Sequence, residues 1–356
     1  MLPILLLLAQ TQPEYYLATL EGKFMAICHK AEETPIVMFP LPRDYRGQVP
    51  LSFKLDVKPK SRLKSVRTYE TPTGDQIAEL TFTPMKRDDR VDIEWKSEVL
   101  TDMTERFDLA QSKATAPPSQ SNSKATAQPE QWLKPTKFVD SDHPKIVAKA
   151  AEFKGATVAE TINKTVVGTV AIRSKQKGQA REMTASIALE KSGSCTSNAN
   201  LLAALLRANG IPARILSGYP TWANAPYQTH YIVEAYVDGF GWYPIEPTLY
   251  ASGWNCSNMP IVSIVSIENE EKGVERLQGG AGVAYLSLNE ASAGLVVRGL
   301  FTKTFSDHKA TLAKKPYDWP VSLRGSGPPP LKTWSDAQTR WASWLRVTRE
   351  SRSDFP

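Results

Sequence analysis

Cys195 heads a helical pattern, a position that suits a nucleophile. The run Ser-Gly-Ser-Cys-Thr-Ser-Asn-Ala-Asn-Leu-Leu-Ala-Ala-Leu-Leu-Arg-Ala-Asn-Gly reads as a loop, a helix and a stop. Ser192, Gly193 and Ser194 are loop and cap residues, and Leu201, Leu202, Leu205 and Leu206 make an apolar stripe. Gly210 falls where a left-handed C-cap belongs. A cysteine in the first turn meets unsatisfied N–H groups and the positive end of the helix dipole. Both favour the thiolate, and the same N–H groups can receive the oxyanion of a tetrahedral intermediate. A buried structural cysteine at a helix start is the plain alternative.

His230 and Glu246 supply a base and an acid downstream. The segment from Gln228 to Thr248 reads as a hairpin with its turn at Asp238-Gly239-Phe240. A register centred on Asp238 places His230 and Glu246 directly opposite each other on one face, about 5 Å apart at Cβ. A carboxylate on one imidazole nitrogen fixes the tautomer and raises the basicity of the other. Trp222 and Tyr227, in the loop before His230, are candidates to line a substrate cleft.

These segments resemble the transglutaminase-like family. The likeness lies in Gly193 to Arg214, with its helix-opening cysteine and Gly-Ile-Pro-Ala-Arg ending, and in Thr229 to Thr248, with its Gly-Trp-Tyr-Pro-Ile-Glu-Pro-Thr run. It implies a papain-like α+β core in which a helix bearing the cysteine packs on an antiparallel sheet. It implies a Cys195-His230-Glu246 triad and acyl transfer at an amide through a thioester. Glu246 stands where the family usually has aspartate. The family's upstream tryptophan, an oxyanion donor in some members, has no counterpart between Trp132 and Cys195. The resemblance implies a protein or peptide substrate and leaves open whether water (protease or amidase) or an amine (transglutaminase) resolves the thioester. A binding or scaffold protein that keeps the core without turnover is the alternative.

The rest of the chain narrows the field. Three cysteines, Cys28, Cys195 and Cys256, do not make a disulfide framework, and no Cys/His spacing suggests a metal or redox centre. No Asp-rich calcium loop is present, and no cofactor is called for. A net charge of +6 over 356 residues is mild, and no basic run with interleaved aromatics points to nucleic acid. Cys28-His29 reads as a half-buried cysteine beside a surface histidine, His143 as a neighbour of a helix cap, His308 as a polar-loop residue and Arg214 as structural, paired to a helix end.

The organisation follows composition. Residues 1–10 are apolar and signal-like, though without a basic start, which favours export to the periplasm or cell envelope over a cytoplasmic location. No stretch reaches membrane-spanning length. Residues 11–110 alternate short β-branched and aromatic runs with turns, the pattern of a β-sandwich. Residues 111–131 are a Ser/Ala/Thr/Gln/Pro linker in which Ser-Lys-Ala-Thr-Ala occurs twice. The core is expected over 132–262, with Asp142 capping its first helix. Residues 263–356 form an extension of strands and a terminal helix, opened by a Ser335/Gln338 capping box and carrying Trp341, Trp344, Leu345 and Thr348 on one face.

Overall fold

The computed structural model describes residues 15–45, 47–102, 128–178, 184–221, 230–238, 240–248, 259–272, 274–276, 283–285, 290–298, 308–313 and 334–350. The fold is α+β, with a helical layer on an antiparallel sheet behind a pair of β-sheets.

Alternating side chains build the front sheets. One sheet runs β14 (Leu295–Arg298), β1 (Tyr15–Cys28), β6 (Arg90–Asp102), β3 (Gln48–Lys58), with β15 (His308–Leu312) also on β1. The other runs β13 (Glu290–Ala291), β2 (Ile36–Pro40), β5 (Gln76–Phe82), β4 (Leu63–Glu70). Leu20, Phe24 and Ala26 of β1 and Val91, Ile93 and Trp95 of β6 turn inward at every second position. Phe39 of the second sheet joins the two layers, with ring centroids 5.4 Å from Phe24 and 6.2 Å from Phe53. β1 runs unbroken past Gly22, where Trp95 lies across the strand. A Cβ there would stand 2.2 Å from the indole nitrogen.

The C-terminal strands return to this front layer. β14 and β15 pair with successive stretches of β1, and β13 pairs with β2. His308 therefore opens a strand, opposite Gly22, and is not a loop residue. The terminal helix α6 (Trp334–Glu350) packs on β3 and β4 through buried Trp341 and Leu345. Trp341 and Trp344 stack at 4.6 Å, and Trp344 meets Phe53. The capping box is not formed. The helix begins at Trp334, and Gln338 Nε2 donates instead to Asp44 at 3.1 Å. Cys28 is fully buried rather than half-buried, its Sγ 2.9 Å from the Lys30 carbonyl. His29 beside it is exposed.

The rear half is a helical layer on a four-stranded antiparallel sheet. Its helices are α1 (Pro144–Glu152), α2 (Val158–Lys175), α3 (Ala185–Ala188) and α4 (Cys195–Ala208). The sheet runs β10 (Ile261–Ile264), β7 (Ala213–Gly218), β8 (His230–Val237), β9 (Gly241–Ile245). α5 (Ile267–Lys272) and the hairpin β11 (Val274–Arg276) and β12 (Val283–Tyr285) follow. His143, not Asp142, caps α1, its Nδ1 accepting the Lys145 N–H at 3.2 Å. The helical leucines of α4 pack on Ile215, Tyr231, Val233 and Ile245. Leu216, Ile232 and Trp242, from the other face of the sheet, pack with Trp132 and Ile264. Trp132 lies in a 3-10 turn, Pro129–Leu133, which takes in residues 129–131. Among the described residues no helix is long and apolar enough to cross a membrane.

Polar side chains join the two halves at β10. Gln48 Nε2 donates to the Ile261 carbonyl at 2.8 Å, and its Oε1 accepts the Ile261 N–H at 2.6 Å. Asp75 Oδ1 accepts the Ile264 N–H at 2.9 Å. Two front-layer side chains thus satisfy backbone groups that an edge strand would otherwise leave unpaired.

Candidate active site

Local sequence places the cysteine first. Cys195 is the first helical residue of α4 and is half-buried. Ser194, the N-cap, makes no side-chain cap hydrogen bond, and Gly210 ends the helix at φ +77°. The far end of α4 is locked by Arg207, which clasps Glu270 with two 2.8 Å bonds and donates to the Ala213 carbonyl. Both partners are fully buried, so the C-terminal end of the helix is anchored.

His230 opens β8 opposite Gly218 of β7. There is no room for a side chain at Gly218, where a Cβ would lie 2.5 Å from the Pro260 carbonyl oxygen. Glu246 follows β9, and its Oε2 lies 2.5 Å from His230 Nε2, with both residues buried.

The register differs from the one expected. Val237 pairs with Gly241 and Val233 with Ile245, so the hairpin is centred one residue later than Asp238. Carried on, this register sets Glu246 beside Ile232 and Thr248 beside His230. Glu246 therefore reaches His230 on a diagonal across the same face, a span that long side chains can bridge.

The other oxygen of Glu246 is also occupied. Oε1 accepts the Thr248 N–H at 2.6 Å. Asn198, one turn along α4 from Cys195, donates from Nδ2 to Thr248 Oγ1 at 3.4 Å, and Arg173 of α2 donates to the Thr248 carbonyl. Sequence reasoning missed Thr248, Asn198, Arg173 and Gly218. The Pro-Thr that follows the acid was the available signal for Thr248.

Electrostatics couple the cysteine to the histidine. Burial alone would lower the His230 pKa. The charge and hydrogen bond of Cys195, then those of Glu246, outweigh it and push the imidazole up to about 10. With Nε2 on Glu246, Nδ1 is the ring nitrogen left to exchange a proton with the thiol. Such a cluster can hold a thiolate–imidazolium pair.

A second buried cluster lies farther along β8. Arg214 Nε bonds Glu234 Oε2 at 2.7 Å, and the guanidinium sits 4.0 Å over the Trp242 ring. Arg214 thus pairs with a neighbouring strand, not a helix end. The Arg43–Asp75 pair of the front layer, 2.6 Å apart, belongs to the same buried field. Burial pushes the Glu234 carboxyl up to about 8, although Arg43 opposes the rise.

Trp222, Tyr227 and Cys256 lie outside the described residues. Among the described residues, no three His, Cys, Asp or Glu side chains group as metal ligands would.

Known proteins share parts of this fold. Residues 145–247 match the transglutaminase-like superfamily. No curated protein matches the chain in sequence. A solved structure described as a candidate cysteine protease from Cytophaga hutchinsonii overlays with a TM-score of 0.53 at 15% identity, covering 84% of this chain and 98% of that one. The two share a fold over that span. The periplasmic domain of TgpA from Pseudomonas aeruginosa overlays with a TM-score of 0.35 at 16% identity, covering 65% of this chain and 89% of that one.

Proposed function

We propose that this chain, with its transglutaminase-like core, is a thiol-dependent acyl-transfer enzyme acting on a peptide or side-chain amide. Cys195 is the nucleophile, His230 its base and Glu246 the residue that orients the histidine. The observation that carries the proposal is the shared imidazole. His230 holds Glu246 on Nε2 at 2.5 Å and a hydrogen bond to Cys195, at the N-terminus of a buried helix.

The chemistry follows from that arrangement. His230 takes the thiol proton, and the thiolate sulfur attacks the amide carbonyl carbon. The N-terminal N–H groups of α4 favour the resulting oxyanion. As the C–N bond breaks, His230 returns the proton to the leaving amine and a thioester remains on Cys195. Water or a second amine, deprotonated by His230, attacks the thioester and releases the thiol. Water gives an acid, as in a protease or amidase, and an amine gives a new amide, as in a transglutaminase. Glu246 keeps the imidazole in the reactive tautomer and stabilises its charged form.

A pool of peptides containing glutamine, incubated with a labelled primary amine and resolved by mass spectrometry, tests the proposal. Cleaved, deamidated or amine-bearing peptides that are absent with Cys195→Ala are the expected result. Product formation that survives Cys195→Ala would overturn it.

A further inference from the structure

We propose that Asn198 and Thr248 are positioning residues for Glu246, tying the acid to the helix that carries Cys195. This rests on the functional reading above and extends it to residues that touch no reacting atom.

The argument begins with the length of the acid. The β8–β9 register leaves Glu246 two residues short of direct opposition to His230. A glutamate on that diagonal gains an extra torsion and needs a second anchor to hold one rotamer. Oε1 finds that anchor in the Thr248 N–H at 2.6 Å, closing a tight loop from side chain to backbone. The loop itself must then be fixed. Thr248 follows Pro247 just beyond the end of β9, where no sheet ladder holds it. Its hydroxyl takes the Asn198 amide at 3.4 Å, and its carbonyl takes the Arg173 guanidinium.

Asn198 is the telling partner. It stands three residues after Cys195, hence on the same side of α4, and is 3% exposed. The chain Cys195–α4–Asn198–Thr248–Glu246–His230 returns to the thiol, so nucleophile and acid share one rigid support. Arg173 is a reinforcing clamp from α2, exposed and hence the weaker of the two.

Thr248→Val removes the hydroxyl while keeping the backbone N–H and the side-chain shape. Thr248→Ser keeps the hydroxyl. Asn198→Ala removes the donor from the other side. The readout is the rate of Cys195 alkylation against pH, with the wild type and His230→Ala measured alongside. Loosening Glu246 weakens the imidazolium and with it the thiolate. Thr248→Val and Asn198→Ala are each expected to move the acid limb of the profile up by about one pH unit, a loss of about tenfold in rate on that limb. Thr248→Ser is expected to retain the wild-type profile, and the double variant to lose no more than either single one. Folding is followed by circular dichroism, and if Asn198→Ala does not fold, the Val/Ser pair at Thr248 decides alone.

A wild-type profile in Thr248→Val overturns the inference. So does a Thr248→Ser profile as shifted as that of Val, which would make the effect one of packing. If the wild type labels fast at low pH and His230→Ala does not, those outcomes refute the positioning role and leave the acyl-transfer reading standing. If the wild type itself behaves as an ordinary thiol, both fall.

Discussion

Glu246 meets His230 across a diagonal of the β8–β9 hairpin, Oε2 to Nε2 at 2.5 Å, although the register would set Thr248 opposite the histidine. The length of glutamate is therefore matched to its place in the strand. Aspartate, common at this point in proteins the sequence resembles, would fall short by one methylene here.

Glu246→Asp should accordingly behave worse than its chemistry suggests. The carboxylate remains, but it cannot hold Nε2 and the Thr248 N–H together. Acyl transfer is expected to fall about 10- to 100-fold, and Glu246→Gln, which loses the charge, by a further factor of about ten or more. Turnover of a peptide amide by each variant checks the order. An aspartate variant as active as the wild type would show that the diagonal reach is irrelevant.

The alkaline limit of activity should lie well above the ordinary histidine range. In the proposed mechanism the protonated imidazole is the acid that releases the leaving amine. A pKa raised to about 10 means that proton persists as pH rises, and is lost only when pH passes that value. The rate of thioester formation should hold through pH 8 to 9 and decline near about 10. Cys195 is the larger source of the rise and Glu246 the smaller, so Glu246→Gln should lower the limit without abolishing the rise. A limb near the ordinary histidine value of about 6.5 in the wild type would contradict the charge assignment.

Gln48 should matter for stability despite its distance from the chemistry. Its amide satisfies both the N–H and the carbonyl of Ile261. Gln48→Leu leaves two buried backbone groups unpaired, each costing about 1–3 kcal/mol. Urea denaturation should show the loss as a lowered midpoint, and an unchanged midpoint would mean that the seam is not held there.

The Arg214–Glu234 pair makes a sharper case. Both side chains are buried, so above about pH 8, where Glu234 is ionised, removing its charge strands the guanidinium. Glu234→Gln is expected to cost about 3–5 kcal/mol, while a joint apolar replacement of both should cost less. Denaturation of the single and double variants separates the two results, and an additive double variant would refute the coupling.

What could be seen in the sequence was local. Cys195 was legible because a leucine stripe and Gly210 bracket its helix. His230 and Glu246 were legible because strand alternation and a turn signal constrain a hairpin. The register was misjudged by one residue because the midpoint of an odd-length turn, not its first residue, sets the pairing. The Asn198 contact to Thr248, the Gln48 and Asp75 contacts to β10, and the partner of Arg214 all join residues remote in sequence. Nothing in composition or period encodes such pairs. The return of β13, β14 and β15 to the front sheets was hidden for the same reason, since strand patterns do not name their partners.

The most direct test is the alkylation rate of Cys195 against pH, followed by mass spectrometry in the wild type and in His230→Ala. A free thiol titrates near about 8.5, and one paired with an imidazolium at a helix N-terminus titrates several units lower. The account predicts rapid labelling of Cys195 below about pH 7 that disappears when His230 is replaced. Slow labelling with the profile of an ordinary thiol, the same in both proteins, would contradict it.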